Sequence, residues 1–312
     1  MTPEASTTST LSGPESSGVK GAVSAAKRLA VPVARNAVKG AAVGVDATAA
    51  ATKKLRRTPT DPGITILIYH RVGAGNGGQM DVTPELFDQQ LTWLKANTRV
   101  LTLDDAVTEL AGGGVVSTDA SRPGVVLTFD DGTTDWVDHV LPALTRHGVP
   151  ATFYVATSFI DEQLPFPGDG VPLTWTGVTE LASSELVTIG SHTHRHMLLD
   201  RLDPASLNDE LDRSIEMLAS HLGGASIDHF AYPKAVAGSP EAESAVKARF
   251  RSAVLAGTRA NHRGVDLHRL HRSPIQASDG MGWFKRKALG GMRFEDDLRQ
   301  WANRARYRGL SS

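Results

Sequence analysis

Two adjacent carboxylates end an apolar run in the segment GVVLTFDDGTTDW, which spans residues 124–136. Asp-Gly is a common turn dipeptide, so Asp130 and Asp131 could simply begin a polar turn. A carboxylate pair can also do chemistry beside a metal ion, because one carboxylate binds the cation while its neighbour accepts a proton from water. A base bound directly to the cation would lose much of its basicity, so the two roles need two residues.

Three histidines alternate in the segment SHTHRHM at residues 191–197. On a strand all three would point the same way, whereas in a helical turn only His192 and His196 share a face. Both geometries bring His192 and His196 together, and His194 is either a third ligand or a solvated residue. Two imidazoles and one carboxylate are a common catalytic ligand set for zinc and leave positions open for water and substrate.

The elements that must position these residues alternate between short apolar runs and amphipathic helical segments from residue 64 onward. The apolar runs predict strands at 64–69, 100–103, 124–129, 151–156, 186–190, 229–232, 252–256 and 267–275. Helices are predicted between them. Some begin at Thr83-Pro84, Asp203-Pro204 and Ser239-Pro240, and others end at Gly148 and Gly223. Further helices are predicted near 104–111 and 177–184, and a long Pro-containing loop over 160–173.

Repeated strand–helix units require a parallel sheet, and their number here favours closure into a barrel. In such barrels the chemistry lies where strands end and the following loops begin. The polar residues that directly follow predicted strands are therefore expected to share one rim: His70, Asp130, Asp131, Ser191, His192 and Tyr232.

Composition and charge restrict the classes of function. The chain contains no cysteine, which excludes disulfides and thiolate metal sites and fits a reducing compartment. The net charge of −1 is unevenly distributed. Residues 1–59 carry a net charge of +6 and residues 281–308 carry +5, whereas the rest of the chain carries −12. The flanks could contact an anionic membrane surface or pack on the acidic middle. They lack interleaved aromatic residues and a recognisable reading module, so nucleic-acid binding is not expected.

Three segments are predicted. Residues 1–60 form a disordered and basic Ala/Lys-rich helical segment, 61–278 form the barrel, and 279–312 form a basic helical extension. The packing anchors expected in that extension are Trp283, Phe284, Leu298 and Trp301. No secretory signal and no run of about 18 uncharged apolar residues is visible. These features predict a cytoplasmic or membrane-peripheral protein.

The segments TFDDG, SHTHRH and AYP, in this order and spacing, resemble the motifs of the polysaccharide deacetylases of the NodB-homology type, carbohydrate esterase family 4. The resemblance covers roughly residues 64–275 and includes LIYHRV and PATFYV. It implies a distorted (β/α) barrel of seven or eight strands, a divalent metal that is commonly Zn²⁺, and removal of acetyl groups from the N-acetylated sugars of a poly- or oligosaccharide. The alternatives are an O-acetyl esterase or non-sugar amidase on the same site, and a glycan-binding homologue with impaired catalysis.

The resemblance assigns roles residue by residue. Asp130 matches the catalytic base, and Asp131, His192 and His196 match the metal ligands. Tyr232 matches the motif whose backbone N–H helps to bind the tetrahedral oxyanion. Many members carry an arginine two residues before the proline of the AYP motif, where it orients the catalytic Asp. This chain has none there.

Four further residues follow from the resemblance. Lys234 or Arg272 could replace the missing arginine, and Arg272 is also a candidate substrate contact. The last family motif supplies a histidine after a leucine as general acid, and the segment LHRLHRSPI offers His268 and His271 for this role. We favour His271. The alternative is that it is a surface histidine on an edge strand.

Two residues are expected to face the substrate. The Tyr-His start typical of the family places His70 near the metal, where it would contact substrate or stabilise charge, or serve a structural role. Trp175 would either stack on a sugar ring or belong to the core.

Overall fold

Parallel strands form the centre of the fold and close into a barrel. The computed structural model describes residues 61–114 and 121–292. The strands of these residues are β1 (Ile64–Tyr69), β2 (Arg71–Val72), β3 (Asp81–Val82), β4 (Arg99–Val100), β5 (Gly124–Asp131), β6 (Ala151–Val155), β7 (Val187–Ser191), β8 (His229–Ala231), β9 (Ser252–Ala256) and β10 (Leu270–Pro274).

Seven of these strands hydrogen-bond in a closed ring, in the order β1, β5, β6, β7, β8, β9, β10 and back to β1. Every pairing in the ring is parallel. β4 makes a short parallel pairing with the start of β5, and β2 pairs with β3 in a small separate sheet. The predicted distorted (β/α) barrel is confirmed, with seven strands in its wall.

Helices connect the strands, as parallel pairing requires. In the described residues they are α1 (Pro84–Asn97), α2 (Leu103–Leu110), α3 (Leu141–His147), α4 (Thr157–Asp161), α5 (Trp175–Ala182), α6 (Pro204–His221), α7 (Pro240–Lys247) and α8 (Gly280–Ala288). Thr83, Asp203 and Ser239 accept hydrogen bonds from backbone N–H groups of the first turns of α1, α6 and α7. These capping bonds explain why the helices begin where the sequence predicts.

Strand side chains alternate between the inside and the outside of the barrel. One buried cluster fills the interior and the end closed by α2, and it includes Ile66, Val126, Tyr154, Val254 and Leu270. A larger buried cluster lies between the barrel and the outer helices, and it includes Leu67, Phe129, Phe153, Phe230 and Leu255. The alternation sets which residues of each strand can reach the interior of the barrel.

Several boundaries differ from the sequence prediction. The strand expected at 100–103 is only the two-residue β4, because Thr102 caps α2 and Leu103 is already helical. The loop expected from residue 160 is preceded by α4. This helix has only five residues, which is too short for its apolar pattern to predict it. The last strand is shorter than the predicted 267–275, since β10 begins at Leu270.

The predicted flanks lie mostly outside the described residues. The segment 1–60 is outside them, as are Leu298 and Trp301 of the extension. α8 belongs to the predicted helical extension, and Phe284 is buried on the outer cluster. Within residues 61–114 and 121–292, no helix combines the length and apolar character needed to cross a bilayer.

Candidate metal centre and active site

The carboxyl ends of the barrel strands bring distant polar residues together. β5 ends with Asp130 and Asp131, and His192 follows β7 directly. His70 follows β1, and Arg272 lies in β10. Strands that run parallel end at the same rim, which is where active sites of such barrels lie.

Asp131, His192 and His196 form a three-residue group that could hold a metal ion. One ligand atom from each residue lies within 4.8 Å of the other two. Asp131 Oδ1 is 3.8 Å from His192 Nε2 and 3.7 Å from His196 Nε2. One carboxylate oxygen and two imidazole nitrogens suit a catalytic zinc site, which keeps a position open for water or substrate.

The hydrogen bond of His192 directs its ring toward that group. His192 Nδ1 lies 2.7 Å from the backbone carbonyl oxygen of Ala231. A carbonyl can only accept, so Nδ1 carries the proton and Nε2 presents its lone pair to a cation. Ala231 thus supports the metal group through its backbone, a contribution that leaves no trace in residue type.

Both histidines are uncharged in this environment, as metal ligands must be. Burial lowers the pKa of His192. Burial, with a smaller contribution from His192, lowers the pKa of His196 to about 4. The donor set, its spacing and its protonation state therefore fit a divalent cation.

The backbone around the ligands adopts conformations that L-residues seldom take. Asp131, Thr193 and His196 have φ values of 91°, 65° and 56°. Such positive values cost energy and persist where the surrounding structure over-determines them, often at functional sites. Here they turn the side chains of Asp131 and His196 toward His192.

His194 is neither a ligand nor a solvated residue. Its ring is buried, and its Nδ1 lies 2.9 Å from Thr157 Oγ1 at the start of α4. The segment after β7 is therefore not a strand with three histidines on one face. It is an irregular turn in which His194 points away from the metal group.

Asp130 lies beside the metal group in a buried ion pair with Arg272. Arg272 Nη1 donates to Asp130 Oδ1 at 2.6 Å, and Nη2 donates to Asp130 Oδ2 at 2.7 Å. Burial by itself would raise the pKa of Asp130, but Arg272, with help from His192 and His70, lowers it to about 2. Asp130 is therefore an ionised carboxylate held in one orientation by a bidentate pair.

Arg272 occupies one of the two positions considered from the sequence. Its side chain is completely buried, its Nη1 also donates to Thr128 Oγ1, and its guanidinium lies 5.3 Å from the centre of the Tyr154 ring. These contacts orient Asp130 from inside the barrel. They leave Arg272 no surface for the predicted substrate contact, and they supply the orientation that Lys234 was considered for.

A cleft of about 390 Å³ opens above the metal group. Its lining includes Asp131 and His196 on the floor, and His70 beside them. His70 Nδ1 is buried and has no hydrogen-bond partner among the described residues. The structure thus places His70 in the cleft, where the sequence predicted a contact with substrate.

The structure does not bring His271 to the site. The register of β10 pairs His271 with Leu255 of the outer cluster, and pairs Arg272 with Ile66 of the inner cluster. The His271 ring therefore lies outside the barrel, against Gly257, where an added Cβ would be 2.8 Å from its Cγ. Strand parity excludes the predicted general-acid position, because only one of two neighbouring residues can point inward.

Tyr232 also departs from its predicted role. Its backbone N–H donates to the carbonyl of Val254 at 3.2 Å, as part of the pairing between the chain after β8 and β9. An amide engaged in this way is not directed at a substrate oxyanion. The Tyr232 ring is buried in the outer cluster and packs edge-on against Phe230.

Trp175 begins α5 and does not line the cleft. Its ring stacks on His221 with centroids 3.8 Å apart, and its Nε1 donates to Asp161. Of the two interpretations drawn from the sequence, packing describes this residue, and a stacking contact with substrate in the cleft does not.

Comparison with known proteins agrees with this geometry. Residues 117–252 match the family model described as polysaccharide deacetylase. The YxkH protein of Bacillus subtilis (strain 168) is 27% identical over 222 residues, which cover 70% of this chain and 72% of that protein. The poly-beta-1,6-N-acetyl-D-glucosamine N-deacetylase of Escherichia coli (strain K12) is 30% identical over 141 residues, which cover 42% of this chain and 20% of that protein.

Solved structures share the fold. The Streptococcus pyogenes deacetylase PplD, in complex with acetate, superposes with a TM-score of 0.63 at 22% identity, over 73% of this chain and 99% of that one. The family match, the closed parallel barrel and the Asp-His-His group beside Asp130 all agree. Residues 117–252 of this chain are therefore similar to the polysaccharide deacetylase family.

Proposed function

We propose that this protein hydrolyses the acetamide groups of N-acetylated sugars in a poly- or oligosaccharide and releases acetate. The observation that carries the proposal is the ionised, Arg272-bound Asp130 beside Asp131, His192 and His196, two of which, Asp131 and His196, line the cleft. One relative is named for N-deacetylation of poly-beta-1,6-N-acetyl-D-glucosamine and another for chitooligosaccharide deacetylation, which supports an amino-sugar substrate.

Asp131, His192 and His196 would hold the divalent cation, which we propose to be zinc. When bound, the cation polarises the acetyl carbonyl and favours deprotonation of water at neutral pH. Asp130 accepts the proton of the attacking water. Its low pKa keeps it ionised, and Arg272 holds its carboxylate in place throughout the reaction.

His70 is the residue we propose to protonate the leaving amine nitrogen. It lines the cleft beside Asp131 and lies close enough to Asp130 for its charge to lower the pKa of that carboxyl. The amine would otherwise leave as an unstable anion, so an amide substrate requires an acid here. An aryl acetate has a stable leaving group and needs that proton far less.

The test compares Asp130→Asn, His192→Ala and His70→Gln on tetramers of N-acetylglucosamine and on 4-nitrophenyl acetate. D130N should keep its metal and lose at least about 10³-fold in kcat, whereas H192A should lose both metal and activity. H70Q should lose about 10²–10⁴-fold on the tetramers and much less on the ester.

Three results would contradict the proposal. They are equal metal loss in D130N and H192A, an H70Q defect of equal size on both substrates, and a wild-type enzyme that releases acetate only from O-acetylated glycans. The last result would identify an O-acetyl esterase on the same site.

A further inference from the structure

A buried arginine that the proposed reaction does not use holds one wall of the cleft. Arg71 follows His70 in the chain, and its side chain is almost completely buried. Its Nη1 donates to the carbonyl of Gly168 at 2.7 Å, and its Nη2 donates to the carbonyl of Pro167 at 2.7 Å. Two charge-assisted bonds to consecutive carbonyls fix the position of a loop that has no helix or strand of its own there.

That loop forms a wall of the cleft, which we call the 159–170 wall. It presents Phe159, Phe166, Pro167, Gly168 and Asp169 to the cleft. The rings of Phe159 and Phe166 stack with centroids 4.3 Å apart, and the backbones of Phe166 and Gly170 exchange two hydrogen bonds. The wall is thus held together by its own contacts, and Arg71 joins it to β2, directly after His70.

The Arg71 guanidinium packs so closely against Gly170 that no larger residue fits there without displacing it. A Cβ added at Gly170 would lie 2.7 Å from Arg71 Cζ and 2.9 Å from Arg71 Nε. Asn76, which also lines the cleft, donates through Nδ2 to the same Gly168 carbonyl at 2.7 Å. Arg71 and Asn76 therefore converge on one carbonyl of the wall.

We propose that Arg71 is a positioning residue for oligosaccharide recognition, and that the 159–170 wall binds the sugar units that neighbour the reacting acetamide. This inference rests on the proposed function. The proposed reacting groups lie around the metal group, whereas the wall presents aromatic rings and the polar side chain of Asp169 to the cleft. Aromatic rings pack on the apolar faces of sugars, and the Asp169 carboxylate can accept hydrogen bonds from their hydroxyl groups.

The test is the split between KM and kcat in Arg71→Gln on β-1,4- and β-1,6-linked tetramers of N-acetylglucosamine. Glutamine loses the charge and one of the two carbonyl contacts, so the wall should loosen. We expect KM for the tetramer that wild type prefers to rise about tenfold with kcat changed less than about threefold, because uniform binding is lost and the chemistry is not. Turnover of 4-nitrophenyl acetate, which is too small to reach the wall, should change less than about twofold.

Two further variants separate positioning from general damage. Gly170→Ala should reproduce the rise in KM by displacing the guanidinium without removing it. Arg99→Gln removes another buried arginine, which pairs with Glu109 of α2 at the other end of the barrel. R99Q should lower the free energy of unfolding without changing KM for the tetramer.

The outcomes are distinct. Equal losses of R71Q on tetramer and ester, or an unchanged KM in both R71Q and G170A, would overturn the role of Arg71 while leaving the proposed function intact. A wild-type enzyme that releases no acetate from either tetramer would overturn the proposed function, and this inference with it.

Discussion

At the scale of single residues, the site depends on the partner that each ionisable group receives. Asp130 is buried, and burial alone would make it a neutral acid with a raised pKa. Arg272 reverses that effect and keeps the proton acceptor ionised. The residue next in sequence, Asp131, remains available for the cation because Arg272 bonds both oxygens of its neighbour.

Arg272→Met should therefore change the pH profile as well as the stability. Without the guanidinium, burial raises the pKa of Asp130, so the acid limb of kcat/KM should move to higher pH. An unpaired buried carboxylate should also cost about 3–5 kcal/mol in the free energy of unfolding. Thr128→Val removes only one hydrogen bond to Arg272 and should leave the acid limb in place. An R272M profile that coincides with wild type would contradict the pairing.

His196 predicts how the stability of the metal-free protein depends on pH. Its pKa is about 4 in the folded protein and 6.5 without burial. Between these values the unfolded chain binds a proton that the folded protein does not. The free energy of unfolding should therefore fall as pH decreases from about 6.5 to 4, by roughly 3 kcal/mol.

Urea denaturation of the metal-free protein at several pH values measures this slope. His196→Asn removes one titrating group and should make the curve shallower over that window, with the remaining slope coming from His192, whose pKa burial also lowers. If wild type and H196N lost stability in parallel, a different group would be responsible.

At the scale of elements, the sequence predicted the positions of the strands well, but not which of their side chains point into the barrel. Mostly apolar runs such as 64–69 and 252–256 match β1 and β9 to the residue, because strands buried on both faces contain few polar residues. The same absence of alternation hides which residues point inward. In LHRLHRSPI, polar residues occupy both parities, and only the pairing of β10 with β1 and β9 places Arg272 inside and His271 outside.

Backbone-mediated contacts were equally inaccessible from the sequence. Side-chain type and spacing were enough to predict Asp131, His192 and His196 as one group, and the structure brings these three side chains together. The carbonyl of Ala231 that orients His192, and the engagement of the Tyr232 amide by Val254, depend on strand register and not on residue type. Arg71 gave no signal at all, because its partners are carbonyls almost a hundred residues away.

Packing between strands predicts a functional effect from a glycine of β7. A Cβ at Gly190 would lie 2.7 Å from Tyr154 Cδ1 and 2.8 Å from the carbonyl oxygen of His229. Gly190→Ala should therefore cost about 1–3 kcal/mol of stability through overpacking. Since the Tyr154 ring contacts Arg272, the strain should also reach Asp130 and lower kcat while metal content is retained.

The matched control is Gly282→Ala in α8. A Cβ there meets nothing within 4 Å, so G282A should raise helix stability by about 0.5–1 kcal/mol and leave kcat unchanged. Chemical denaturation, metal content and kcat of the two variants measure the contrast. A G190A enzyme with normal kcat would show that strain at Tyr154 does not reach the site.

At the scale of the whole molecule, a cation would connect parts of the barrel that are distant in sequence. Asp131 ends β5, and His192 and His196 follow β7, about sixty residues later. A ligand that binds only the folded state stabilises it, by about 4 kcal/mol at a free concentration a thousand times its Kd. Chelation should accordingly lower the Tm of wild type.

The size of that decrease tests the ligand assignment. Asp131→Asn should unfold at nearly the same temperature with and without chelator. His194→Gln loses a bond to Thr157 but no ligand, so it should keep the difference between metal-loaded and metal-free protein. A chelator effect that persists in D131N would locate the cation elsewhere.

The closure of the ring between β1 and β10 has a consequence for synthesis of the chain. Of the strands that the structure describes, β10 is synthesised last, and it carries Arg272 about 140 residues after the carboxylate that this residue neutralises. Until that strand inserts, the edges of β1 and β9 lack their partner strand, and Asp130 lacks its counter-ion. The pairing of Asp130 and the closure of the barrel are therefore one event, and both must wait until β10 has been synthesised.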